Sequence, residues 1–264
     1  MMKMIRTAVL LLISFLVVFS GTTMSDAHPE TKELKIEGLF KGKEGTMVLK
    51  NLKTQQTYLY NKERSMTRFT PESTFKVANA LIGLQTNAVR DEYEVKRWDG
   101  VEREFETWNR DHSLASAMRE SAIWFYQDMA RDIGENRMQD YVNRLDYGNQ
   151  DISGGIDLFW LDSSLEISAA EQADFMEELV KENLPFEEKH QKTVKRMMIQ
   201  DDQDDYTLHG KTGTRLSDFG LGWYVGFIET KRGTWVFAVN LNGSGTEAKN
   251  IAIETLKKQK IIKK

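Results

Sequence analysis

The chain of 264 residues contains no cysteine. It therefore carries neither a disulfide framework nor a thiol for lipid attachment. Histidine is scarce as well, limited to His28, His112, His190 and His209. None of the four stands in a His-x-x-x-His or other paired ligand spacing, so no metal centre is expected. A strong charge imbalance is missing too. The formal net charge is −4, and so mild an acidity gives no basis for nucleic-acid binding. The N-terminal apolar run, Ala8 to Phe19, falls short of the roughly 18–20 residues that cross a bilayer. Internal repeats and low-complexity linkers are absent.

That run instead reads as part of a targeting signal. Lys3 and Arg6 precede it, and Ser25-Asp26-Ala27 offers small residues for cleavage. Residues 1–27 are expected to form a signal peptide cut near Ala27, with an uncleaved anchor as the alternative. The protein is then expected to be secreted or held at the cell surface. Membrane contact would be confined to this segment, and only if it is retained.

Residues 28–264 suffice for one large core or two lobes. Their ends read as strand and their middle as helix. Met47 to Leu49 and Thr57 to Tyr60 alternate around a polar turn. Gly222 to Ile228 and Thr234 to Leu241 form a second hairpin pattern across Lys231-Arg232-Gly233. An amphipathic helix is expected from about Thr246 to Lys258, and the basic tail Lys257-Lys258-Gln259-Lys260 suits a helix C-terminus. Between Asp91 and Gln200 the pattern is mostly helical, interrupted at Gly134, Gly148 and Gly154-Gly155. The acidic run Asp201-Asp202-Gln203-Asp204-Asp205 and the basic tail are read as solvated surface. These patterns predict an α+β fold. An antiparallel sheet (28–90 and 206–264) would be flanked by N- and C-terminal helices, with an all-helical lobe (91–205) inserted. A cleft between the lobes is the expected ligand site.

At the lobe boundary stands Ser73-Thr74-Phe75-Lys76. Thr70 can cap a helix and Pro71 suits its first position, which places Ser73 in the first turn. From Phe75 through Leu84 the segment is apolar nearly all round, the pattern of a buried helix. Residues three apart share a helix face, so the Lys76 amine can reach the Ser73 oxygen. A serine hydroxyl is a poor nucleophile until a base takes its proton. In apolar surroundings an ammonium loses hydration, so the neutral amine of Lys76 becomes populated. The helix start adds backbone N–H groups and partial positive charge where an oxyanion would form. No Gly-x-Ser-x-Gly elbow surrounds Ser73, which argues against a Ser-His-Asp triad.

Far downstream comes Lys211-Thr212-Gly213, and together the two motifs make a signature shared by penicillin-binding proteins and serine β-lactamases. The third element in such enzymes is matched by Ser121-Ala122-Ile123, whose apolar Ile123 points away from the class A type. Tyr147-Gly148-Asn149 and Phe159-Trp160-Leu161 follow in order. With these five segments the chain, from about Thr46 to Ile262, resembles a class D (oxacillinase-type) serine β-lactamase, close to the branch found in Gram-positive bacilli.

The resemblance implies hydrolysis of the β-lactam amide of penicillin-type antibiotics, with Ser73 as the acylated nucleophile. Lys76, carboxylated on its amine to N6-carboxylysine by carbon dioxide or bicarbonate, would be the general base. No other cofactor and no metal is implied. Trp160 would hold the carbamate, and Ser121 would relay a proton to the leaving nitrogen with help from Lys211. Thr212 would bind the substrate carboxylate, and the backbone of Thr214 and Ser73 would form the oxyanion hole. Ile123 and Gly213 would shape the substrate site. Tyr147-Gly148-Asn149 is read mainly as architecture. Many class D enzymes grip the carboxylate with an arginine whose position is matched here by Lys249. Arg215 or Arg232 could serve instead, though their spacing gives no support. One alternative is a penicillin-binding sensor domain that acylates without turnover. Such domains normally end a membrane protein with several spanning helices. A peptidoglycan carboxypeptidase is disfavoured by the Trp160 segment and the missing Ser-x-Asn.

Overall fold

The computed structural model describes residues 31–263; the expected signal segment 1–27 and His28 lie outside them. The first half contains β1 (Lys32–Glu33), β2 (Gly45–Asn51), β3 (Gln56–Tyr60), α1 (Lys62–Met66), β4 (Arg68–Phe69), α2 (Lys76–Gln85), β5 (Val95–Lys96), β6 (His112–Ser113), α3 (Leu114–Glu120) and α4 (Ile123–Ile133). The second contains α5 (Glu135–Arg144), β7 (Ile167–Ser168), α6 (Ala169–Lys181), α7 (Glu188–Met197), β8 (Ile199–Gln203), β9 (Tyr206–Thr214), β10 (Gly222–Thr230), β11 (Gly233–Leu241) and α8 (Gly245–Lys258).

Seven strands form one sheet in the order β1-β3-β2-β11-β10-β9-β8, antiparallel except where β1 runs parallel to β3. Both expected hairpins form, and the two ends of the chain join where β2 pairs β11, with Met47 opposite Val239. Alternation sorts the side chains between two layers. Met47, Leu49, Tyr224, Phe237 and Val239 pack with Ala248, Ile251 and Leu256 of α8. Val48, Val225, Phe227, Val236 and Ala238 join the larger cluster that includes Ala173 and Met176 of α6. A sheet covered on both faces has no use for a polar side, which is why its central strands read as nearly continuous apolar runs. On the α6 side, α2 is the buried axis, and α4 and α7 pack against it.

The lobes are less cleanly divided than the sequence pattern predicts. Helix α2, placed before residue 90 with the sheet, packs among the helices. Helix α6, from the inserted segment, covers the sheet. The insert is not all helical either: β4 pairs β7, β5 pairs β6, and β8 lies within it. Strand β8 carries Asp201 and Asp202 of the acidic run, whose polar residues show no apolar alternation to reveal a strand; pairing with β9 makes it one. As the edge of the sheet, its charges guard against pairing with another chain. On the N-terminal flank, the described residues hold a single 3-10 turn, Glu37–Phe40, where a helix was expected.

Candidate active site

The nucleophile turn is built differently from a capped helix start. Pro71 is already in the right-handed helical region, Glu72 turns left-handed at φ +51°, and Glu72–Phe75 form a 3-10 turn that runs into α2. Thr70 does not cap the helix; its hydroxyl donates to Oε1 of Glu72 at 2.7 Å. The Thr70 carbonyl accepts from the Trp223 indole at 3.0 Å, tying the turn to β10. Thr74 is held between the Pro71 carbonyl (2.6 Å) and Gln172 of α6 (2.8 Å).

One helical turn beyond Ser73, the Lys76 amine donates to Ser73 Oγ at 2.8 Å. Lys76 is completely buried. Burial holds its pKa well below the usual lysine range, the positive charge of Lys211 lowers it further, and the nearby Glu72 carboxylate partly opposes them. Burial thus shifts the balance from the ammonium toward the neutral amine. The Tyr126 ring lies 5.5 Å from the Lys76 Nζ. Phe75 stacks on Trp160 with ring centroids 5.6 Å apart, and Phe159 meets both rings edge-on. The Trp160 indole N–H is buried without a hydrogen-bond partner among the described residues. A buried orphan donor is unfavourable, so this site suits an added acceptor such as a carbamate oxygen.

Opposite the nucleophile, Ser121 ends α3 in a left-handed conformation (φ +57°). Lys211 of β9 donates to Ser121 Oγ at 3.0 Å and to the Thr212 carbonyl at 2.9 Å. Burial, with the charge of Lys249 added, lowers the Lys211 pKa to about 7. Strand β9 can approach the nucleophile because of Gly213: a Cβ there would lie 3.1 Å from the Pro71 carbonyl and 3.3 Å from the Ser73 nitrogen. Thr214 Oγ1 accepts from the Gly245 N–H at 2.9 Å, locking the start of α8 behind the strand. Ser73, Ser121, Ile123, Thr212 and Thr214 line one cleft, completed by Phe105, Thr107, Trp108, Glu120 and Leu216.

Lys249 is not among these lining residues. Its amine donates to Gln200 of β8 at 3.0 Å and sits 5.9 Å from the Tyr224 ring centroid. Arg215 is engaged with Asp218 at 2.8 Å, and Arg232 lies at the distant β10–β11 turn. Tyr147-Gly148-Asn149 is structural. The Asn149 side chain accepts from the Glu166 N–H and donates to the Ser164 carbonyl. A Cβ on Gly148 would fall 1.9 Å from the Glu166 carbonyl. Two side chains at the site escape sequence reading. Glu72 stands directly before the motif, next to the nucleophile. Tyr126 is one of four consecutive large apolar residues, and nothing in their order says which faces Lys76. Among the described residues no three His, Cys, Asp or Glu side chains gather as a metal site.

Comparisons with known proteins converge on one family. The penicillin-binding protein transpeptidase domain family matches residues 42–262. A probable β-lactamase of Bacillus subtilis, YbxI, is 58% identical over 93% of this chain and 92% of its own length. The β-lactamase OXA-48 of Klebsiella pneumoniae is 42% identical over 83% of this chain and 84% of its own. The crystal structure of a class D β-lactamase from Bacillus subtilis superposes with a TM-score of 0.86 at 61% identity, covering 88% of this chain and 98% of that one.

Proposed function

Because the chain belongs to the class D β-lactamases, we propose that it hydrolyses the β-lactam amide of penicillin-type antibiotics through an acyl-enzyme on Ser73. Lys76 serves as general base. The observation that carries this reading is the Lys76 amine, fully buried and 2.8 Å from Ser73 Oγ. As a carbamate, formed with carbon dioxide or bicarbonate, Lys76 would offer a carboxylate-like base both for the serine proton and for the deacylating water. The Trp160 indole N–H, without a partner among the described residues, supports that form, since it supplies a fixed donor for one carbamate oxygen.

The other residues then take these parts. Ser73 Oγ attacks the β-lactam carbonyl, and the Ser73 and Thr214 backbone N–H groups face the developing oxyanion. Ser121, fixed by the Lys211 hydrogen bond, passes a proton to the nitrogen as the C–N bond breaks. The Lys211 charge assists that transfer, and the Thr212 hydroxyl meets the substrate carboxylate. Lys249 reaches this group only if it leaves Gln200. Residues 1–27 support an exported enzyme, and a mature N-terminus near His28 in protein from the culture medium tests that.

The decisive test follows product release after mixing with excess penicillin, with and without bicarbonate. Repeated turnovers that increase with bicarbonate are expected. A single stoichiometric burst under every condition favours the sensor reading instead. Turnover that is indifferent to bicarbonate at every pH removes the carbamate from the mechanism.

A further inference from the structure

Glu72 lies between Pro71 and the nucleophile, yet only 2% of it is exposed. Its φ of +51° is a left-handed conformation that disfavours any residue with a Cβ. Glycine would fit there without strain, so the carboxylate's contacts have to compensate. They reach across the site. Oε1 accepts from the Thr70 hydroxyl at 2.7 Å and from the Asp162 backbone N–H at 3.0 Å. The Glu72 N–H donates to the Trp160 carbonyl at 3.0 Å. Main chain and side chain of one residue therefore bracket the stretch Trp160–Asp162.

The charged groups around Glu72 are few. The Lys76 amine lies on its helix side, and Asp162 and Arg215 lie on the facing loops. Arg215 is shared with Asp218 at 2.8 Å and Asp162 at 3.6 Å, and Ser217 Oγ donates to Asp162 at 2.8 Å. Burial, reinforced by Asp162, raises the Glu72 carboxyl to about 7 despite its hydrogen bonds and Arg215. Such a group is retained where it organises its neighbours.

We propose that Glu72 is a positioning residue whose carboxylate clamps the Trp160–Asp162 stretch to the nucleophile turn and so holds the Trp160 indole in place beside α2. The consequence for turnover rests on the reading of carboxylated Lys76 as general base, because the indole acts through that group. The clamp itself does not depend on it.

Two variants and two readouts test this. Glu72→Gly removes the carboxylate while suiting the left-handed backbone; Glu72→Gln keeps an acceptor oxygen of the same reach. Hydrogen exchange of a peptide spanning 158–166 should accelerate by about tenfold or more in Glu72→Gly and stay near wild type in Glu72→Gln. The glycine variant should also lose kcat more than it changes KM, and should need several-fold more bicarbonate for half-maximal turnover, with the glutamine variant restoring both. Unchanged exchange in Glu72→Gly overturns the clamp, and so does equal loss in the two variants. If wild-type turnover ignores bicarbonate, the base assignment falls, while the exchange measurement still decides the role of Glu72.

Discussion

The site contains two serine–lysine pairs of nearly equal length and very different origin. Ser73 and Lys76 lie 2.8 Å apart on one helical turn, three residues from each other. Ser121 and Lys211 lie 3.0 Å apart across the cleft, 90 residues from each other. The first pair needs only a helix. The second needs α3 to end in a left-handed serine and β9 to sit against the nucleophile turn, which in turn needs Gly213. Both amines are buried and both pKa values fall: burial acts first in each, with the charge of Lys211 added at Lys76 and that of Lys249 added at Lys211, and only Lys76 has a carboxylate, Glu72, opposing the fall. Proximity to a serine is thus common to the two pairs, and the environment divides the labour between them.

The sharpest way to break the comparison is to remove each serine. Ser73→Ala should lower penicillin turnover by more than about 10³-fold, since no covalent intermediate can form. Ser121→Ala should cost less, about 10²-fold, the lower end of the scale of one proton-transfer partner. Steady-state rates with a chromogenic cephalosporin check both. Equal losses would mean that the two serines act as one unit.

The lysines separate next. Lys76→Ala should abolish repeated turnover under any bicarbonate concentration. Stability should move the opposite way. The folded-state pKa of Lys76 is depressed, so the native state binds fewer protons than the unfolded chain and wild-type stability rises with pH up to about 10.5, the ordinary lysine value. Lys76→Met removes the buried amine and should gain about 1–2 kcal/mol near neutral pH with a flatter pH dependence. Urea unfolding at several pH values in degassed buffer measures this. A destabilised methionine variant would show that the amine is better satisfied than its burial implies.

The smallest effect concerns Lys249, whose charge presses on Lys211 from α8. Lys211 loses its proton above about pH 7, so kcat/KM should decline on that alkaline limb. Lys249→Met relieves the repulsion and should shift the limb to higher pH by a few tenths of a unit. Lys249→Arg should lower the KM for penicillins by on the order of 1 kcal/mol if the side chain exchanges Gln200 for the substrate carboxylate. An unchanged limb and an unchanged KM would confine Lys249 to its bond with Gln200.

Much of this was legible in the chain. The two hairpins showed as alternation, α8 as an amphipathic run, and the nucleophile with its lysine as a spacing of three. All are local patterns whose period reports the backbone conformation. Thr70 was misread as a cap because the preference for Ser, Thr, Asp and Asn before a helix does not register a competing acceptor two residues on, here Glu72. Strand β8 escaped because an edge strand that buries no face carries no period. The place of α2 among the helices is a packing outcome, and an all-apolar helix does not say which layer it joins.

Sequence alone therefore determined that a serine and a lysine share a helical turn, that two apolar strand pairs frame the chain, and that Gly213 directly follows a lysine and a threonine. Those properties follow from backbone period and residue type. Tertiary structure decided the rest. It placed Lys211 on Ser121, drew Glu72 inward to Asp162, left the Trp160 indole buried without a partner among the described residues, and turned Lys249 toward Gln200. Burial and the distances between segments remote in sequence set pKa values and hydrogen-bond partners, and neither quantity exists until the chain has closed on itself.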